Sequence, residues 1–234
     1  MNSVIDRLFW AIKDKKPIPP FEEKLDIADA YEIQKKVSQK IYSSELLGLK
    51  AGVTSKDMQN ALGIGSPLIG GLFKENRLDK NPTLPYRKGR LIECELGIFS
   101  DIHGNIKAIC AAIEFAVLDF ERETDLGGPN LVASNVAVER FLLGQKFDDI
   151  NSLSKERCTL FRNDTIVNRA DIGESLGGPQ EAAKLIASEA SRWDYRIHED
   201  CVFLSGACGS VVKAEPGKYL ADFGGFGVLS FEII

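Results

Sequence analysis

Gly48 changes the character of this chain. Before it, apolar residues recur at helical spacing; after it, glycines such as Gly52, Gly63, Gly65, Gly70 and Gly71 cut the sequence into short segments. Val4, Ile5, Leu8, Phe9 and Ile12 form one apolar helical face, ended by Lys15-Lys16-Pro17. A second helix is predicted over 27–41, with Asp26 as N-cap and Ala30, Ile33, Gln34, Val37 and Ile41 on one side. Past Gly48, a short strand at 49–53 precedes a short helix at 56–62 capped by Ser55, and 82–90 is turn-rich. The run 91–100 (LIECELGIFS) alternates as a strand, with Ile92, Cys94, Leu96 and Ile98 on one face and Glu93, Glu95, Gly97 and Phe99 on the other. Residues 106–113 read as helix, 115–120 as a buried strand, 148–156 as a polar loop and 160–168 as a strand in a hairpin. The helix 179–193 opens on Gly178-Pro179, and glycines divide the tail from Cys201 onward into short strands. Helices in front, strands behind and no regular βαβ alternation predict an α+β fold, not a doubly wound sheet.

Charge and composition exclude several functions. The chain has 34 acidic and 29 basic side chains, a net charge of −5, so it lacks the basic footprint of a nucleic-acid binder. No run is apolar enough to span a bilayer, and residues 1–16 lack the apolar core of a signal peptide, so a cytoplasmic protein is expected. The five cysteines, Cys94, Cys110, Cys158, Cys201 and Cys208, show no C-x-x-C spacing and read as reduced, packed thiols. Two histidines, His103 and His198, cannot build a three-histidine zinc site. Any metal chemistry here falls to carboxylates. Dinucleotide, P-loop and G-x-S-x-G signatures are absent.

Four places in the sequence are candidates for chemistry. Glu93 and Glu95, two apart on a strand, share a face; they are either a solvated polar edge or a repelling pair held by a hard cation. Asp119 follows an apolar run and is either a ligand at the end of a rigid element or a turn cap, with Glu114 as an alternative ligand or a surface residue. Lys50, between Gly48 and Gly52, is either a snorkelling surface side chain or a buried one with a tuned pKa. The Ser205-Gly206 loop with Gly209 is an ordinary turn or a backbone N–H nest for an anion.

Taken in order, DAYEIQ (29–34), GLKAGVTSKDMQNALGIGSPLIGGLF (48–73), IECE (92–95), FAVLD (115–119), SN (134–135), FLLG (141–144) and LSGACG (204–209) resemble the 2-keto-4-pentenoate hydratases of the fumarylacetoacetate hydrolase superfamily. The resemblance covers nearly the whole chain from Asp29. It implies a mixed, rolled β-sheet core with flanking helices, a small N-terminal helical part (1–47) and a catalytic domain (48–234). It implies Mg²⁺ or Mn²⁺ held by Glu93, Glu95 and Asp119, a catalytic Lys50, and substrate contacts from Ser205, Gly206 and Asn135. The implied reaction is hydration of a small 2-oxo or 2-hydroxydienoate acid by a homo-oligomer that breaks down aromatic or related compounds. Decarboxylation, tautomerisation, C–C hydrolysis and a non-catalytic binding role are the alternatives. Aligned on Asp119, the family pattern A-L-E-x-x-D-S-R puts its glutamate on Ala116 and its arginine on Glu121, and the family's D-N pair is Ser134-Asn135.

Overall fold

The computed structural model describes residues 2–148 and 156–234. Most of the loop expected at 148–156 lies outside the described residues. Helix α1 (Asn2–Lys13) leads through an extended, proline-rich link to α2 (Ile27–Ile41). Asp26 caps α2, its carboxylate accepting the Asp29 N–H at 2.8 Å. Val4 and Leu8 of α1, and Ala30, Ile33 and Val37 of α2, join the same hydrophobic core as the sheet strands. Inside that core the Gln34 side-chain amide donates to the carbonyls of Ile69 and Val132, which satisfies a buried polar group and fixes α2 in place.

After α2 come β1 (Leu46–Gly52), α3 (Lys56–Ala61), β2 (Leu68–Phe73), β3 (Thr83–Leu84), β4 (Arg90–Ser100) and β5 (Ile106–Val117). Then follow α4 (Gly128–Ala133), β6 (Val138–Leu143), β7 (Arg157–Arg162), β8 (Thr165–Asp171), α5 (Pro179–Arg192), β9 (Cys201–Leu204), β10 (Val212–Lys213), β11 (Gly217–Asp222) and β12 (Val228–Ile233). The larger sheet runs β2-β1-β9-β4-β5-β6, with β10 added beside β4; the smaller runs β3-β12-β11-β7-β8. Parallel pairings (β1 with β9, β12 with β3) sit among antiparallel ones, so the architecture is the expected α+β with a mixed, curled sheet. Phe115 of β5 meets Phe231 of β12 edge-on at 5.0 Å, and Phe231 stacks on Tyr219 at 4.8 Å, which ties the two sheets together.

Two expected elements differ. Residues 160–168, read as one strand of a hairpin, are the hairpin's turn with the end of β7 and the start of β8 on either side. Residues 106–113, read as a helix, are the first part of β5, and the strand ends at Val117 short of the expected 120. β5 lies between β4 and β6 and is buried on both faces. A strand of that kind is apolar at nearly every position, so its isoleucines match a helical period as well as a strand period. The turn before it decides the matter: the Asp101 carboxylate accepts the N–H groups of His103 and Asn105, which closes a hairpin from β4 into β5.

The β4–β5–β6 ladder is clamped at one end by charge. Arg90, at the start of β4, donates to both oxygens of Glu139 on β6 at 2.6 and 2.9 Å, and Arg87 donates to the same carboxylate at 3.1 Å. Burial works to raise the Glu139 pKa, but the Arg90 and Arg87 bonds outweigh it and hold the carboxyl below its ordinary value. Glu139→Ala leaves a buried guanidinium unpaired and should cost about 3–5 kcal/mol in urea denaturation. Because the folded-state value is depressed, the wild-type clamp contributes fully above the unfolded carboxyl's titration near pH ~4.3 and loses its contribution as pH falls further. The stability gap between wild type and variant should therefore close in acid.

Candidate functional site: a buried carboxylate cluster

The centre of the larger sheet brings three carboxylates and one ammonium together. Glu93 and Glu95 project from one face of β4, and Glu114 on β5 is the register partner of Glu93. One oxygen from each of the three lies within 4.8 Å of the others. Lys50 on β1 pairs with Leu204 on β9, which in turn pairs with Gly97 on β4, so the lysine stands over the same face. Its Nζ is 3.0 Å from Glu114 Oε1, and both side chains are buried.

The loop after β9 follows β4 past the cluster. Ser205 N–H donates to Leu96 O and Cys208 N–H to Cys94 O, on either side of Glu95. Between them Gly206 N–H donates to Glu95 Oε2 at 2.8 Å. Gly206 has φ +85°, and a Cβ there would lie 2.4 Å from Thr54 Cγ2, so only glycine serves. Of the two readings of this loop, the structure favours anion holding: Gly206 N–H holds the Glu95 carboxylate and Gly209 N–H that of Glu174.

The electrostatics are unbalanced. Three carboxylates and one ammonium leave a formal −2 in a buried place. Glu95 Oε1 and Glu114 Oε2 accept no hydrogen bond, and Glu114 Oε1 has only its ion pair with Lys50. Burial, reinforced by the Glu114 charge and opposed by Lys50, lifts Glu93 to about 7. Burial, with Glu114 and Glu93, pushes Glu95 well above the carboxylate range. For Lys50 burial alone would lower the pKa, as the sequence suggested, but Glu114, Glu93 and Glu95 reverse the direction and raise it. The raised values mean that the full −2 is reached only when a cation offsets it, and bare buried carboxylate oxygens of this kind fit a hard divalent cation.

A cavity of about 560 Å³ opens on this cluster. Lys50 and Glu93 form its charged end, and Val53, Val136 and Leu176 belong to its wall. Those three hold left-handed backbone, with φ of 55°, 50° and 53°. For branched residues such conformations cost about 1–3 kcal/mol each and persist only where the surroundings impose them.

Other expected site residues lie elsewhere. Asp119 lines a separate cavity with Lys16 and Arg87, and its carbonyl accepts the Ile18 N–H at 2.6 Å. Glu114 stands where Asp119 was expected. Glu114 lies inside β5, whereas Asp119 lies two residues past the end of that strand at Val117, beyond the ladder that faces β4. The signal was present in Ala112-Ile113-Glu114, which matches the family's A-L-E better than the residues ending at Ala116. Ser205 Oγ is occupied by Leu96 N–H and Gly206 O, and it does not line the cavity. The Asn135 amide bridges the N–H and carbonyl of Gly71 at 2.7 and 2.9 Å. Asn135 therefore fixes the left-handed run Asn135–Ala137, which delivers Val136 and Ala137 to the wall. Neither histidine lines the cavity, and the five cysteines are buried and free.

No protein-family model matches the chain. A 2-keto-4-pentenoate hydratase from Paraburkholderia phymatum is 28% identical over 97% of this chain and 95% of its own length. The 2-keto-4-pentenoate hydratase 2 of Dechloromonas aromatica is 26% identical over 89% and 87%. Among solved structures, 4-oxalocrotonate decarboxylase from Pseudomonas putida G7, complexed with magnesium and adipate, superposes with a TM-score of 0.89 at 18% identity, covering 99% of this chain and 96% of that one. Fumarylpyruvate hydrolase from Pseudomonas aeruginosa, with Mn²⁺ and pyruvate, gives 0.61 at 13% identity over 80% and 88%. The chain is thus similar over nearly its full length to enzymes named 2-keto-4-pentenoate hydratase, and it shares the fold of 4-oxalocrotonate decarboxylase and fumarylpyruvate hydrolase.

Proposed function

We propose that this protein is a divalent-metal-dependent lyase that adds water to a small 2-hydroxydienoate or 2-oxoenoate of the 2-keto-4-pentenoate kind. The observation that carries the reading is the Glu93–Glu95–Glu114 cluster, with its bare oxygens, beside a cavity that Glu93 and Lys50 line. Its support from kinship is sequence similarity over nearly the full length of proteins named for that activity.

Glu93, Glu95 and Glu114 would hold Mg²⁺ or Mn²⁺, with Gly206 N–H keeping Glu95 in its rotamer. A bound ion there supplies a Lewis acid for a 2-oxo acid head group. The protein's own groups do the rest. Lys50, protonated among the carboxylates, carries a proton on Nζ for delivery to the substrate and offers a positive charge to its carboxylate. The apolar wall limits the water at the reacting carbons and fixes the substrate's direction.

Turnover of 2-hydroxypenta-2,4-dienoate with Mg²⁺, followed by loss of the dienol absorbance, tests the reading. Release of CO₂ from a 2-oxo diacid without hydration would instead make the protein a decarboxylase. Calorimetry separates the two candidate third ligands. Glu114→Gln should weaken Mn²⁺ binding by about a hundredfold or more, whereas Asp119→Asn should leave it unchanged; the reverse pattern would restore Asp119 to the site. Lys50→Met should retain Mn²⁺ yet lower turnover by roughly 10²–10⁴-fold, and full activity would reduce Lys50 to a counter-charge.

A further inference from the structure

The far end of the cavity differs in chemistry from the charged end. Among the described residues that line it, Lys50 is the single cation, and it is already paired with Glu114. At the mouth stand Met58, Leu118, Leu126 and Val211, which are 50%, 37%, 40% and 47% exposed. These are four of the eleven large apolar side chains that are exposed among the described residues, gathered around one opening. Apolar groups concentrated in this way mark a binding surface, whereas scattered ones need no explanation. The charged lining residue away from the cluster is Glu174, whose carboxylate accepts the Gly209 N–H. The cavity, at about 560 Å³, is of a size that takes ligands much larger than a five-carbon acid.

We infer that the site takes a 2-oxo monoacid with a long alkyl or aryl tail, the tail lying along the apolar wall toward Leu118 and Leu126, and that it rejects 2-oxo diacids. The inference rests on the 2-oxo acid reading of the carboxylate cluster and adds the identity of the other end of the substrate. A terminal carboxylate there would exchange part of its water for apolar side chains, would meet no guanidinium or free ammonium among the described lining residues, and would share the cavity with Glu174. A methylene chain in the same place removes apolar surface from water on both partners.

Calorimetry on the intact protein with Mg²⁺ tests this with stable probes. From 2-oxopentanoate through 2-oxohexanoate to 2-oxooctanoate, affinity should rise about three- to fourfold per added methylene. The diacid 2-oxoadipate should bind about tenfold more weakly than 2-oxohexanoate. Equal affinities along the monoacid series, or a 2-oxoadipate affinity matching that of 2-oxohexanoate, would overturn the inference while leaving the head-group reading intact. Failure of every probe, 2-oxopentanoate included, would remove the 2-oxo acid reading and this inference with it. Leu118→Arg places a cation at a half-open position and should invert the order, so that 2-oxoadipate binds more tightly than 2-oxohexanoate. An order unchanged by the added guanidinium counts against a tail lying along that wall.

Discussion

Lys50 is buried against Glu114, with Glu93 and Glu95 beside it, and this imbalance is the constraint around which the centre of the molecule is arranged. A buried ion pair is at best a small source of stability, and a second and third carboxylate make the arrangement unfavourable by itself. It persists because three strands and a loop impose it. β4 and β5 set Glu114 opposite Glu93, β1 presents Lys50, and Gly206 restrains Glu95. Such enforced repulsion makes sense where a ligand relieves it. A divalent cation would offset the formal −2, and the scarcity of histidine then becomes part of the same design: the ligands are hard oxygens.

Close approach at the cluster depends on glycines. At Gly52, a Cβ would meet Val136 Cγ1 at 2.5 Å and Lys50 Nζ at 3.3 Å, so glycine leaves room both for the lysine and for the strained valine. Val136 is held in turn by Asn135, whose amide grips Gly71 on β2. Gly48, Gly52 and Gly70 are therefore glycines for packing reasons, whereas Gly63 and Gly65 stand in open space, and the strain at Val136 accompanies the same crowding.

Much of this was legible in the sequence, and the failures have physical causes. The shared face of Glu93 and Glu95 was legible from strand parity and the flanking apolar residues, but parity left a solvated edge open, and their role as ligands came from the resemblance. Lys50 stood out because a charge among glycines and apolar residues is an inconsistency that calls for a partner. Glu114 was weighed but passed over, because it lies inside a segment buried on both faces where no alternation marks the face it points to. The same burial made 106–113 look helical. Once that run is a strand paired with β4, its partnership with Glu93 follows directly. Ser205 and Asn135 show a different limit: a motif gives a polar residue's position, but only the structure shows that backbone groups already occupy its hydrogen bonds.

The cavity separates two selection problems that the sequence presents as one. On the proposed reading, the carboxylates and Lys50 at its charged end would recognise charge and chelating oxygens, and the same groups would set the reaction. At its mouth recognition would be by shape and apolar area, which adds affinity without touching the reacting atoms. The two ends are carried by different parts of the fold. The charged end is built on the ladder of β4 and β5, where a change of register would move every ligand to the wrong face. The mouth draws on short and irregular segments, with Met58 on α3 and Leu118, Leu126 and Val211 outside the regular elements. Substitutions there leave the ladder untouched, so substrate preference can change while the carboxylate cluster stays fixed. For the same reason, a fold shared with a decarboxylase and a hydrolase does not determine which substrate this chain takes.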